Sequence, residues 1–265
     1  MISIQPDPIM KTHRYLAVFT ALLLTTVQAQ SAVPLDEARA ALKVNDLARA
    51  ESLLLPLTGA TATDGAPFYA LGQLRERQRN LREAVAAYEQ ATKLDATNPD
   101  YFSSLGIALS QRMGELSFIQ QAMTAGKMKK AFEKSVALDP KHVSGLIGLC
   151  RYYTNAPEIA GGSLEKAKEF ADQVHALVPF LGEMEYGNIA EKGEDYAAAL
   201  GHYEAALKLN PDNAGLLNSC GRQLAKLGRK DEARARFEAA LKLNPNLESA
   251  KKGLASLDAP VEVKS

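Results

Sequence analysis

The residues able to do acid–base, nucleophilic or metal chemistry are few and scattered. Beyond position 30 only His142, His175 and His202 carry imidazoles, and no two of them fall within helical reach of each other. No G-x-S-x-G elbow, H-E-x-x-H helix or Cys-x-x-Cys pair occurs. Gly126-Lys127-Met128 carries the Gly-Lys of a phosphate loop. Position 121, however, is Gln where that loop needs glycine, and Met128 replaces the hydroxyl that would hold magnesium. Gly161-Gly162-Ser163 precedes a helical stretch, where its amides suit either an anion or a tight turn. Glu183, Glu185, Glu191 and Glu194 read as a solvated helix face. An enzyme reading would turn to Arg112, Glu115 and Glu158, but no nucleophile–base pair or metal set accompanies them. The expectation is therefore a non-enzymatic protein, with no catalytic residue, no cofactor and no metal.

Composition narrows the partner. Of 265 residues 46% are hydrophobic and 6% aromatic, with no Trp, which favours packed helices over sheets. Lys plus Arg equal Asp plus Glu at 31 each, so no basic excess recommends nucleic acid or an anionic membrane as the main partner. At the N-terminus Lys11, His13 and Arg14 precede an apolar run from Tyr15 to Val27, then Gln28-Ala29. This is the pattern of a secretory signal peptide over 1–29, cut after Ala29, with Met10 a candidate initiator. The run is shorter than the roughly 20 residues of a membrane span. The expected location is periplasmic or secreted, with no integral membrane segment after cleavage and an uncleaved anchor as the alternative.

The elements that position these residues emerge from internal repetition. Gly221, Gly228, Ala233, Phe237, Ala240 and Pro245 are echoed by Gly187, Ala199, Tyr203, Ala206 and Pro211, with matching positions 34 residues apart. Leu71, Gly72, Ala84, Tyr88 and Ala91 repeat the pattern upstream, with Phe68 at the first aromatic position. The chain resembles the tetratricopeptide-repeat family over essentially all of 31–257, and more narrowly exported bacterial members without a defined activity. The resemblance implies an all-α, right-handed superhelical solenoid of antiparallel helix pairs. Its units are expected at about 31–64, 65–98, 99–142, 143–179, 180–213 and 214–247, followed by a capping helix at 248–257 and a flexible tail at 258–265. Glycines and alanines (Gly72, Gly106, Gly187, Gly221; Ala84, Ala199, Ala233) let helices approach, while Tyr88, Phe132, Tyr203 and Phe237 plug the gap to the next unit. Asn98-Pro99 is expected to end one unit and cap the next.

Two units run long. The third carries extra residues around Arg112–Lys127, read as a lengthened helix pair projecting from one rim; the fourth carries the loop 155–163. Within the first insertion, Leu116, Phe118, Ile119 and Met123 either fold onto their own pair or form an exposed patch. Lys127, Lys129 and Lys130 beside them read as a solvated basic cluster. Self-association through 110–130, as a structural subunit of an envelope complex, is the alternative function. Cys150 and Cys220 fall at small-residue slots two units apart. They are expected roughly 20 Å apart, because packed helices stand 8–10 Å from each other, so both should be buried free thiols.

In the family, ligands lie in the concave groove against the first helices. Carried over by position, the groove candidates are Tyr69, Gln73 and Arg77; Ser103, Ile107 and Gln111; Ile147, Arg151 and Asn155; Met184, Asn188 and Lys192; and Asn218, Arg222 and Lys226. The cations among them favour an acidic or carboxylate-bearing peptide as partner, and asparagine can hold a peptide backbone by both its donor and its acceptor. The clamp that chaperone-binding members place on a C-terminal carboxylate lacks its Lys and Asn here: Tyr69 and Ser103, with Gln73 and Ile107, stand in those places. The overall expectation is a scaffold for a protein or peptide partner.

Overall fold

The computed structural model describes residues 33–258, which form thirteen α-helices and three short 3-10 turns, with no strand among them. The expected signal at 1–29 and the tail beyond Asp258 lie outside the described residues. The helices are α1 (33–43), α2 (Leu47–Leu54), α3 (Gly65–Arg77), α4 (Leu81–Leu94), α5 (Pro99–Arg112), α6 (Phe118–Leu138), α7 (Val143–Asn155), α8 (Leu164–Leu177), α9 (Pro179–Lys192), α10 (Tyr196–Leu209), α11 (Ala214–Lys226), α12 (Lys230–Leu243) and α13 (Glu248–Asp258). The chain divides into two compact units, Met1–Tyr101 and Phe102–Ser265. No helix among the described residues is long and apolar enough to cross a membrane.

Local chemistry explains where the helices start. Asp46, Asp64, Asn80, Ser163, Asp195 and Asn213 each turn a side-chain oxygen onto a backbone N–H of the first turn they precede, satisfying donors that no helical carbonyl can reach. Asn98 does the same for Asp100 N–H at 3.0 Å, and Pro99 opens α5. His142 is a cap of a different kind, its Nδ1 lying 3.2 Å from the Gly145 N–H and 3.0 Å from the Ser135 hydroxyl. Between the helices of a pair the chain turns through a left-handed residue: Asn45, Arg79, Glu194 and Gly228 all have positive φ. Only Gly228 adopts that conformation without crowding a Cβ.

In the first unit the Tyr88 ring lies flat against Gly72, where a Cβ would come within 2.4 Å of it. The second unit repeats the arrangement. Tyr203 covers Gly187, Phe237 is wedged between Gly221 and Gly253, and Phe132 between Gly106 and Gly148. These rings are almost completely buried, and they are the aromatic plugs expected from the repeat. Cys150 and Cys220 are buried and free, as expected. Burial pushes the Cys150 thiol up to about 12 and the Cys220 thiol to about 11, so neither is a nucleophile at neutral pH.

Both insertions are ordered. α6 has 21 residues where α5 has 14, begins at a Ser117–Gln120 capping box, and follows a turn at Met113–Glu115. Loop 155–163 is pinned by Tyr152 OH donating to Ala160 O at 2.7 Å and Ser163 N–H donating to Tyr153 O at 2.9 Å. The Gly162 N–H donates to Pro157 O at 3.0 Å, and a Cβ on Gly162 would collide with Ala156 O. With these amides engaged, Gly161-Gly162-Ser163 is a tight turn.

Candidate functional site

The C-terminal ends of α7, α9 and α11 converge on a pocket of ≈ 580 Å³ within the second unit. Arg151, Thr154 and Asn155 line it from α7, and Asn188, Glu191 and Lys192 from α9. Glu194 and Tyr196 contribute from the turn into α10, and Lys226 from α11. Five of the groove candidates (Arg151, Asn155, Asn188, Lys192 and Lys226) are thus brought together.

Three of its lining residues, Arg151, Asn188 and Glu191, belong to a network of charge-assisted hydrogen bonds. Arg151 grips Glu185 with both Nε (3.0 and 3.2 Å) and Nη2 (2.6 Å). Glu185 is 1% exposed, so it is not part of the solvated face expected from sequence; its charge is tolerated because a bidentate guanidinium and an amide meet it. Burial works against the Arg151 charge, and the Glu185 hydrogen bonds more than offset it, leaving the guanidinium pKa raised. Asn188 Nδ2 donates to Glu185 at 3.2 Å. The Tyr203 hydroxyl lies 2.9 Å from both Asn188 Oδ1 and Glu191 Oε2. Arg222 completes the chain by donating to Glu191 at 2.7 Å. Burial first, then the Glu191 charge, holds the Tyr203 phenol far above its ordinary pKa.

The candidates therefore differ in what they offer a ligand. Arg151 and Arg222 already neutralise carboxylates, and Asn188 is held by Glu185 and Tyr203. Asn155 Nδ2 donates to Arg151 O at 2.8 Å and the Thr154 hydroxyl to Cys150 O at 2.9 Å, both closing back on their own helix. Lys192 and Lys226 are exposed, and among the described residues neither makes an ion pair. Lys226 Nζ stands 5.7 Å over the Tyr196 ring. These two ammonium groups are the cations best placed to meet an anionic ligand.

The remaining candidates lie elsewhere. Ser103 and Asn218 are buried at 3% and 7% exposure, which corrects their expected place on an open groove wall; among the described residues, Asn218 Oδ1 has no hydrogen-bond partner. Gln111 is exposed on α5. In the first unit Tyr69 stacks on Tyr101 at 4.7 Å, Gln73 is half-buried, and Arg77 Nη1 donates to Leu42 O, tying α3 to the end of α1. Sequence reasoning missed Glu185, Glu191, Tyr196 and the Tyr203 hydroxyl. A usable signal was present, because Arg151 and Glu185 are opposite charges separated by one repeat length.

Two other polar assemblies accompany this pocket. Glu183 receives His175 Nε2 at 3.3 Å and His202 Nδ1 at 2.8 Å, between which lies Tyr186, its hydroxyl 2.5 Å from Asp172. These side chains tie α8, α9 and α10 together. Among the described residues no group of three ligands is arranged to hold a metal. A pocket of ≈ 440 Å³ near the α10–α11 turn is lined in part by the Arg236–Glu204 pair, 3.1 Å apart.

Comparison with known proteins concerns the fold. Two family models match, a tetratricopeptide repeat over residues 191–257 and a TPR repeat over 68–112. No curated protein matches the chain. Among solved structures, the hetero-tetramer Cut9–Hcn1 of APC/C aligns with a TM-score of 0.68 at 16% identity, covering 86% of this chain and 43% of that one. The chain thus spans less than half of that relative. The thermophilic TPR protein TTC0263 of Thermus thermophilus aligns with a TM-score of 0.61 at 19% identity, covering 73% of this chain and 98% of that one. PilF of Pseudomonas aeruginosa aligns with a TM-score of 0.61 at 14% identity, covering 85% and 97%.

Proposed function

We propose, from the premise that this chain belongs to the tetratricopeptide-repeat family, that it is a non-enzymatic scaffold. In this reading it holds an acidic peptide or protein segment in the pocket at the ends of α7, α9 and α11. One observation carries the reading: Lys192 and Lys226 are exposed and, among the described residues, make no ion pair, while Arg151 and Glu191 of the same lining are matched by Glu185 and Arg222, leaving Glu194 as the one carboxylate beside the two lysines. Side chains already held by hydrogen bonds cost a ligand little reorganisation, and ammonium groups left in water supply the attraction for carboxylates. The Tyr196 ring adds an apolar surface beside Lys226, and the exposed Asn155 offers its amide oxygen to an extended backbone. The signal-peptide pattern at 1–29 supports a location in the periplasm or outside the cell.

The test is capture of partners from envelope extract by the wild-type protein and by a Lys192→Glu/Lys226→Glu variant. Reversing both charges is expected to weaken the principal partner at least about tenfold, or about 1.4 kcal/mol, without lowering the unfolding midpoint. Equal capture by both proteins contradicts the assignment. A second reading, a structural subunit assembling through 110–130, is favoured by the exposure of Phe118, Ile119 and Met123.

A further inference from the structure

We propose that the Glu76 carboxylate, at the end of α3, is a receiving site for an arginine side chain presented by another protein. The site lies in the first compact unit and does not depend on the pocket reading.

In both units a tyrosine plug ends on a glutamate. The Tyr88 hydroxyl donates to Glu76 Oε2 at 2.6 Å, and the Tyr203 hydroxyl to Glu191 Oε2 at 2.9 Å. Each glutamate precedes its tyrosine by 12 residues. Each also follows the glycine beneath that ring, Gly72 or Gly187, by about one helical turn. The two carboxylates thus occupy the same place in their helix pairs, but what meets them differs. Arg222, 31 residues beyond Glu191, closes on it with Nη1 2.7 Å from Oε1 and Nη2 3.3 Å from Oε2. The residue equally far beyond Glu76 is Ile107, which carries no charge. Among the described residues no cation pairs with Glu76. Its neighbour Arg75 is taken by Glu51 and Glu83, and Arg77 Nη1 donates to Leu42 O.

A carboxylate left in this position is under-compensated. Glu76 is half-buried, and burial raises its pKa above the ordinary carboxylate value, the Tyr88 hydrogen bond offsetting only part of that. Its Oε1, the counterpart of the oxygen that takes the shortest bond from Arg222, has no hydrogen-bond partner among the described residues. That oxygen is nevertheless open to solvent, so a group arriving from outside can reach it.

Arginine suits the site better than other cations. A guanidinium offers a carboxylate two parallel N–H donors where lysine offers a point charge. Arg222 displays that geometry on the equivalent Tyr–Glu pair. About one turn before Glu76 stands Gln73, half-buried, whose amide oxygen can accept a further N–H. Two turns before it is Tyr69, also half-buried, its ring 5.7 Å from that of Tyr88, an aromatic surface against which an arginine can stack. A metal ion finds too few ligands, since no group of three is placed to hold one among the described residues.

Nuclear magnetic resonance of the purified protein, read at the Glu76 side-chain carboxyl carbon, tests this with a blocked arginine tripeptide. Its comparison is the citrulline tripeptide, equal in shape but uncharged. Arginine is expected to shift the signal saturably, and citrulline to bind at least about tenfold more weakly. Glu76→Gln keeps an acceptor for the Tyr88 hydroxyl, so the unfolding midpoint should hold while arginine binding, read at the Gln73 side-chain amide, falls about tenfold. A purely structural Glu76 would show no such loss. Arg222→Ala vacates the matching place in the second unit, and the same peptide should then also shift the Glu191 carboxyl carbon. An arginine peptide that leaves Glu76 unmoved overturns the proposal, as does a citrulline or lysine peptide that binds equally well. So does a response that survives Glu76→Gln.

Discussion

Arg151→Ala is expected to destabilise the second unit by about 3 kcal/mol. Removing the guanidinium leaves Glu185, 1% exposed, with the Asn188 amide and the Cys150 thiol but no cation against its charge. Breaking a buried pair from one side costs more than the pair is worth, because the surviving charge is dehydrated without compensation. The figure sits at the lower end of the usual ~3–5 kcal/mol because Arg151 is itself 52% exposed and water can reach the vacated site. Urea unfolding followed by circular dichroism measures it, and the control is an Arg151→Met/Glu185→Leu variant. Removing both charges together should return most of the loss. If Arg151→Ala unfolds at the wild-type midpoint, Glu185 is not held as described. This coupling also means that loss of binding after substitution of Arg151 cannot be assigned to the groove, so Lys192 and Lys226 are the informative positions.

Phe132→Ala is expected to cost about 3–5 kcal/mol, the range for emptying a well-packed aromatic site. The ring fills the space left by two missing side chains: a Cβ at Gly106 would lie 2.6 Å from it, and one at Gly148 2.3 Å. It therefore joins α5 to α6 and α6 to α7, and a cavity there opens two helix seams. The reciprocal experiment is Gly148→Ala, where a methyl group meets the ring edge and should cost about 1–3 kcal/mol. Differential scanning calorimetry of both variants checks the pair. In a stacked-repeat protein the loss should appear first as a separate low-temperature transition. A Phe132→Ala protein with an unchanged profile would mean the glycines are not spaced for the ring.

How much of this was legible in the sequence follows from which physical signals repeat. Tyr203 and Phe237 stand 34 residues apart, as do their partners Gly187 and Gly221, and Gly72 precedes Tyr88 by the same 16 residues that separate those pairs, so these plugs were legible in the sequence. The same holds for the buried thiols of Cys150 and Cys220. Gly148 and Gly253, the second wall for Phe132 and Phe237, escaped because Gly148 belongs to the following helix pair and Gly253 to α13, and spacing within one repeat does not reveal them. The pocket was half legible. Transferring positions helix by helix found Arg151, Asn155, Asn188, Lys192 and Lys226, but treated each cation as available. That Arg151 and Arg222 are matched by Glu185 and Glu191 depends on contacts between helices about one repeat apart, which a reading of one helix face at a time does not contain. The exposure of Phe118, Ile119 and Met123 was open for a similar reason. Helical spacing defines the stripe, and only the length of α6 relative to its neighbours decides whether anything covers it.

The most direct test of the scaffold reading is site-specific photocrosslinking in cells, with a benzophenone amino acid placed at Asn155 in the pocket and, separately, at Gln173 on the exposed face of α8. The account predicts that Asn155 crosslinks to one predominant protein, that adding Lys192→Glu/Lys226→Glu removes that product, and that Gln173 gives none of it. If the partner is caught from Gln173 and not from Asn155, it binds another surface, and the pocket is not where this protein works.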